Sequence, residues 1–227
     1  MDKKIEAYLS LDKLFSSHGF KLYLVGGTVR DYLLGLPLDD MDAVTDATPE
    51  EMKLFLPDAN YRFEMFGSIN LKVDGVKFDI TTMREEDGYA DARHPGKIKF
   101  VKELSKDVVR RDFTVNALYL DNNLQVIDLV DGQKDLNNRV LKTVGEADRR
   151  IKEDPLRILR AFRFASDYDL SLDKELSDAI RNNIALIDKL NVDKIRMDLK
   201  KCKPSSKDKI LKLFEEYNIK HLSNVIE

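Results

Sequence analysis

A chain of 227 residues with 43% hydrophobic and 35% charged residues can build one substantial core, or one domain with a helical annex. No apolar run nears a membrane span, the start Met-Asp-Lys-Lys-Ile-Glu lacks a secretory core, and one cysteine, Cys202, excludes an intrachain disulfide or a cysteine-rich zinc cluster, which makes the cytoplasm the default location. The formal net charge of -3 argues against indiscriminate nucleic-acid binding, and with only three scattered histidines a metal must be held by oxygen.

Apolar spacing predicts a helix over 5–15, stopped by Gly19, then a short buried strand over 22–25 and a helix over 28–34. Gly26 and Gly27 fall at the strand-to-helix turn, where backbone N–H groups and the positive end of the helix dipole favour an anion. Two glycines also serve backbone geometry alone, and Arg30 and Asp31 just beyond them could merely pair with neighbours. Asp40 and Asp42 stand two apart in an extended segment, so their carboxylates share a strand face and suit one hard cation. Ordinary loop carboxylates are the alternative.

Thr48-Pro-Glu-Glu51 is a helix start with a capping box. Strands follow over 61–66, 69–73 and 76–81, the last two joined by a tight Asp74-Gly75 turn. Asp79 lies within the last of them, flanked by apolar residues, and could complete a carboxylate cluster if its strand lies beside the one bearing Asp42. A polar loop is expected over 85–96.

The segment 107–117 packs Arg110, Arg111, Asp112, Thr114 and Asn116 into seven positions. Arginine suits bidentate phosphate binding and Asp and Asn can reach ribose hydroxyls; a polar helix start with capping side chains would look the same. A hairpin is expected across 121–123. Beyond residue 145 the periods predict helices over 155–164, 170–180, 184–189, 195–199 and 210–217, so a mixed domain over 1–144 precedes a helical part over 145–227. On the first of these helices Arg157, Arg160 and Arg163 recur every three residues. Asp154, one turn before Arg157, could join it in offering acceptors and donors to a base edge, or in an ordinary ion pair. From 193 to 212 eight basic residues face three acidic ones, either a basic face for phosphates or plain solvated surface.

Together, Gly26-Gly-Thr-Val-Arg-Asp31, Asp40-Met-Asp42, Arg110-Arg-Asp-Phe-Thr-Val-Asn-Ala117 and Glu153-Asp-Pro-Leu-Arg157 resemble, in order, the motifs of class II tRNA nucleotidyltransferases, the CCA-adding enzymes. Those enzymes share a polymerase-beta-type superfamily with bacterial poly(A) polymerases. The resemblance covers roughly residues 20 to 200. It implies an α+β fold, a polymerase-beta-like nucleotidyltransferase head of small mixed sheet and helices followed by an all-helical neck. It implies template-independent addition of CCA to tRNA 3′ ends from CTP and ATP, with Mg²⁺ held by Asp40 and Asp42 and with Asp79 as third acid. Gly27 and Arg30 then match triphosphate positions, with Gly26 in the same nucleotide-binding turn; Arg111, Asp112 and Asn116 match a ribose and phosphate motif. Asp154 and Arg157 match the pair that reads the base, with Arg160 and Arg163 continuing that surface. The segment 84–96 is similar to the flexible loop needed for the final A, with Gly88 and Gly96 as hinges. Members usually continue past the neck, so Lys200, Lys201 and Lys203 become candidates for holding the tRNA acceptor end, and an oligomer stays open; no membrane is implied. The rivals are a poly(A) polymerase, a CC-adding or other terminal ribonucleotidyltransferase, and an inactive RNA- or nucleotide-binding module.

Overall fold

A computed structural model describes residues 2–39, 41–89 and 95–225; Asp40 and the segment 90–94 lie outside them. The chain divides into two compact units, Met1–Asp87 with Lys97–Arg111 and Val115–Gln133, and Gly88–Gly96 with Asp112–Thr114 and Lys134–Glu227.

The first unit opens with α1 (Lys3–Ser17), which Asp2 caps by accepting from the Lys4 amide. Then follow β1 (Leu22–Val25), α2 (Gly27–Leu33), β2 (Met41–Thr45) and α3 (Pro49–Lys53), the last started by the expected reciprocal Thr48/Glu51 capping box. Next come β3 (Asn60–Phe63), β4 (Ser68–Val73) and β5 (Val76–Thr82). The strand expected over 61–66 stops at Phe63, because Glu64–Phe66 turns as a 3₁₀ helix into Gly67 at φ +77°. The polar loop expected over 85–96 is instead a ribbon at its two ends, β6 (Arg84–Tyr89) and β7 (Pro95–Phe100), which among the described residues form a two-stranded sheet of their own. Its middle lies outside the described residues, and Gly88 and Gly96, expected as hinges, stand in strands. Opposite charges across the ribbon, Lys99 with Glu85 at 3.9 Å, support pairing where polarity alone suggested a loop. α4 (Leu104–Asp107), β8 (Leu118–Leu120) and β9 (Val126–Asp128) complete the unit, and α5 (Gly132–Asn137) begins at its end. Asp128 starts α5 by accepting from the Gly132 and Gln133 amides.

Seven strands form one sheet in the order β3-β4-β5-β2-β1-β8-β9. All pairings described are antiparallel except β2 with β5, whose parallel register sets Asp42 beside Asp79. Period-two alternation sorts the faces. Leu22, Leu24, Met41, Ala43, Ile69, Phe78, Ile80, Leu118 and Leu120 point into one core with Tyr8, Leu11 and Phe15 of α1 and Met52 of α3. The opposite face carries Val25, Asp42, Asn70, Asp79 and Tyr119.

The second unit comprises most of α5, then β10 (Val140–Leu141), α6 (Ala147–Glu153), α7 (Leu156–Tyr168), β11 (Ser171–Leu172), α8 (Lys174–Asn183), α9 (Val192–Leu199) and α10 (Lys207–Glu216), with 3₁₀ turns between them. The helical expectation holds with one interruption. The helix expected over 170–180 starts only at Lys174, since Ser171–Leu172 pairs in parallel with β10 and Asp173 caps the helix through the Leu176 amide. α7 is the central helix, burying Ile158, Leu159, Ala161 and Phe162, the last against Phe214 and Tyr217. Among the described residues no helix is long and apolar enough to cross a membrane.

Gly67 tests the first unit's packing. A Cβ there would come within 2.7 Å of the Phe100 ring and 3.3 Å of Thr82, at a φ that L-residues avoid. Gly67→Ala should lower unfolding free energy by about 1–3 kcal/mol, read from urea denaturation; an unchanged midpoint would contradict the packing described.

Candidate active site

The expected residues fall into one group in each unit. In the first, β1 ends at Val25 and the chain reverses into α2 through Gly26 at φ +67°, ψ −133°, a conformation that Cβ-bearing residues avoid. The Gly26 amide donates to the Leu118 carbonyl at 3.3 Å, so it is spent on the sheet, contrary to the expectation of an exposed anion-binding N–H at that residue. Gly26 is instead where the backbone comes close: a Cβ there would lie 3.9 Å from Asp42 Oδ2 and 3.8 Å from the Asn116 carbonyl oxygen. The start of α2 is fastened to β2 by the Asp42 amide, which donates to Thr28 Oγ1 at 2.9 Å. Gly27 faces the Arg30 guanidinium.

Arg30 is buried, 4% exposed, and its guanidinium donates to Asn116 Oδ1 at 2.5 Å and to Asp31 Oδ1 at 3.0 Å. This ties α2 to the segment before β8 and uses two residues that the sequence offered as separate ligand contacts. Asp42 and Asp79 are exposed, adjacent in register and on one sheet face; Asn70 Nδ2 donates to Asp79 Oδ1 from the next strand. Among the described residues no group of three or more metal-ligating side chains is gathered, and Asp40 lies outside them. The two carboxylates that are described, all oxygen and side by side, are the donor type that a divalent magnesium ion takes.

Arg111 is organised by a residue that the sequence reading passed over. Asp107 is fully buried, and its carboxylate accepts from Arg111 Nη2 at 2.7 Å and Nε at 3.1 Å, from Arg110 Nε at 2.8 Å and from Tyr119 Oη at 3.0 Å. Burial opposes its charge, yet Arg111 and Arg110 hold the Asp107 carboxyl well below the usual carboxylate range. The i, i+3 and i, i+4 spacing of Asp107 with Arg110 and Arg111 was the available signal.

The second unit holds Asp112, Asp154, Arg157, Arg160 and Arg163. Asp112 accepts from the Phe113 amide at 2.8 Å and from Arg160 Nε at 2.9 Å, and Arg160 lies over the Phe164 ring, 5.5 Å from its centroid. Burial pushes the Asp112 carboxyl up, but the Arg160 guanidinium overrides it and holds the pKa at about 2. Asp154 is the C-cap of α6 and accepts from the Leu156 amide, with Arg157 in the first turn of α7. Arg157 is buried and donates to the Arg150 carbonyl at 2.5 Å and to Glu153 at 3.3 Å, so Glu153 belongs to this group as well, at the i, i+4 spacing. Arg163 is buried too, pairs with Asp198 at 3.4 Å and stacks on Phe164. Of the three-residue stripe only Arg160, 32% exposed, reaches solvent to any extent. Lys200 and Lys201 are exposed, whereas Lys203 sits over the Tyr168 ring at 4.1 Å, with its amide and ammonium on Asp167.

A mixed sheet with paired carboxylates beside a glycine turn, followed by helices with an acid and arginines at a helix start, is a polymerase-beta-like nucleotidyltransferase head with helical segments after it. The chain belongs to the Poly A polymerase head domain family, whose model matches residues 22–142. It is 44% identical over 191 residues to the CCA-adding enzyme of Lactobacillus delbrueckii subsp. bulgaricus, covering 84% of this chain and 48% of that protein. The crystal structure of the Bacillus stearothermophilus CCA-adding enzyme in complex with CTP superposes with a TM-score of 0.87 at 32% identity, covering 96% of this chain and 53% of the other. The Thermotoga maritima CCA-adding enzyme complexed with tRNA is similar at a TM-score of 0.76 and 26% identity, covering 98% and 53%. The chain thus spans about half the length of the relatives it matches.

The Asp112–Arg160 pair makes a pH prediction. With the folded carboxyl near 2 and the unfolded one near 3.8, the pair's contribution is fully present above pH 3.8 and is lost as pH falls toward 2. Asp112→Asn should therefore remove on the order of 2 kcal/mol at pH 7 and flatten the acid limb of the stability curve below pH 4, measured by denaturation at stepped pH. An acid limb unchanged in the variant would contradict the pairing.

Proposed function

We propose that this chain is the catalytic head, residues 1–144, and neck, residues 145–227, of a cytoplasmic, template-independent tRNA nucleotidyltransferase. It adds CCA to tRNA 3′ ends from CTP and ATP and releases pyrophosphate. The observation that carries the reading is the Asp42/Asp79 pair, set side by side by the parallel β2–β5 register on the sheet face opposite the core. Similarity to CCA-adding enzymes whose structures were solved with CTP and with tRNA supports the substrate class.

In this reading Asp42 and Asp79, with Asp40, hold Mg²⁺, which when bound supplies a Lewis acid for the RNA 3′-hydroxyl and neutralises charge on the triphosphate. The chain's own groups do the positioning. Gly26 and Gly27 let the backbone approach the phosphates, and Arg30, fixed by Asn116 and Asp31, keeps α2 in place behind them. Arg111 meets the phosphates as a planar, permanently charged donor, while Asn116 and Asp112 serve the ribose. Asp154 and Arg157 read the base edge, and Arg157 arrives preoriented because Glu153 and the Arg150 carbonyl already hold its guanidinium. Side-chain reading needs no nucleic-acid template, and it rejects a wrong base by leaving a hydrogen-bonding group unpaired. Arg160 extends that surface; Arg163, buried on Asp198, supports α7 behind it. Lys200 and Lys201 are the exposed cations offered to the tRNA acceptor end.

A transcript ending at the discriminator base, incubated with CTP and ATP together, should gain three residues and stop. Continued A incorporation would favour a poly(A) polymerase, and arrest after two residues a CC-adding enzyme. Asp42→Ala should lower the incorporation rate by more than about 100-fold with the melting temperature retained. Undiminished incorporation would remove this site from the chemistry, whereas a wild-type chain that incorporates no nucleotide would leave a nucleotide- or RNA-binding module as the reading.

A further inference from the structure

Asp107 carries more than its share of the first unit's hydrogen bonds. Its Oδ1 accepts from Arg110 Nε at 2.8 Å and from the Arg84 backbone amide at 3.2 Å; its Oδ2 accepts from both Arg111 nitrogens and from Tyr119 Oη. Arg84 opens the β6–β7 ribbon and is itself fixed: its Nε donates to Glu86 at 2.8 Å and its Nη1 to the Phe66 carbonyl, while Glu86 also approaches Arg110 at 3.6 Å. Tyr119 pairs with Val25 on β1, so its ring stands on the sheet face that carries Asp42 and Asp79, with the Arg111 guanidinium 5.0 Å from its centroid.

Three guanidiniums, of Arg84, Arg110 and Arg111, thus share the carboxylates of Asp107 and Glu86 in a largely buried cluster. Fold stability alone does not call for such a cluster, since apolar side chains of similar volume usually hold a core as well as a buried ion pair does. What it achieves is fixed direction, because a guanidinium gripped through two nitrogens by a buried carboxylate cannot swing. We propose that Asp107 is the positioning residue of the phosphate site: its carboxylate aims Arg111 at the incoming nucleotide's phosphates and, through Arg110 and the Arg84 amide, locks it to the foot of the β6–β7 ribbon. The role assigned to those phosphates rests on the function proposed above; the geometry of the junction does not.

Asp107→Asn keeps the shape but removes the charge and turns one acceptor into a donor facing donors. In the full chain it should raise KM for CTP and the dissociation constant for inorganic tripolyphosphate at least tenfold, with kcat changed less than threefold. Tyr119→Phe, which removes one donor to Asp107 and one contact to Arg111 at little risk to folding, should raise both constants about threefold, and it decides the matter if Asp107→Asn does not fold. A purely structural Asp107 would lower the melting temperature and leave tripolyphosphate affinity of the folded variants unchanged, which overturns the proposal. A wild-type chain that adds no nucleotides but binds tripolyphosphate in an Asp107-dependent way would overturn the enzymatic reading and keep this one. A wild-type chain that binds no tripolyphosphate overturns the proposal too, since there is then no phosphate site to aim at.

Discussion

The parallel pairing of β2 with β5 is the constraint on which the candidate site depends. A parallel ladder places same-numbered steps of two strands at one level, so Met41 to Thr45 against Phe78 to Thr82 sets Asp42 level with Asp79 on one face and Ala43 level with Ile80 on the other. A slip of β2 by one residue would turn Asp42 into the core and Ala43 out into water while Asp79 stayed on the opposite face, so the two carboxylates would part. The core holds the register, and the register holds the acids together. Gly26 completes the arrangement from β1, because only a residue without a Cβ takes its φ and ψ cheaply beside Asp42.

In each unit, the arginines of the candidate group are already held before any ligand arrives. Arg30 is on Asn116 and Asp31, Arg111 on Asp107, Arg157 on Glu153 and Arg160 on Asp112. A guanidinium with five donors in a planar fork can be gripped from one side and still present an edge. Such groups lose little rotamer freedom on binding, which is the physical content of preorganisation.

Much of this was legible in the sequence, for reasons that can be named. Helix α1 and strands β1, β4 and β5 announce themselves by period, and the start of α3 by its capping box, since these are local signals. Local reading failed where a distant partner decides. The ribbon at 84–89 and 95–100 looked like a polar loop because its pairing rests on the backbone and on charges across the two strands. Ser171–Leu172 looked helical until Val140–Leu141 claimed it. At the site, motif order pointed to the acids and arginines, but which acid meets which arginine is a tertiary matter: Arg157 takes Glu153, and Arg160 takes Asp112, 48 positions away. Asp107 was passed over because a buried carboxylate does not announce its burial in one sequence.

The central claim is that the Asp42/Asp79 face binds a divalent cation together with a nucleoside triphosphate. Electron paramagnetic resonance of Mn²⁺ titrated into the wild-type chain with CTP, and into Asp42→Asn and Asp79→Asn, tests it most directly. The account predicts that CTP strengthens Mn²⁺ binding in the wild type and that Asp42→Asn abolishes the protein-bound signal, with Asp79→Asn weakening it about tenfold or more. Equal Mn²⁺ binding by all three proteins would contradict it.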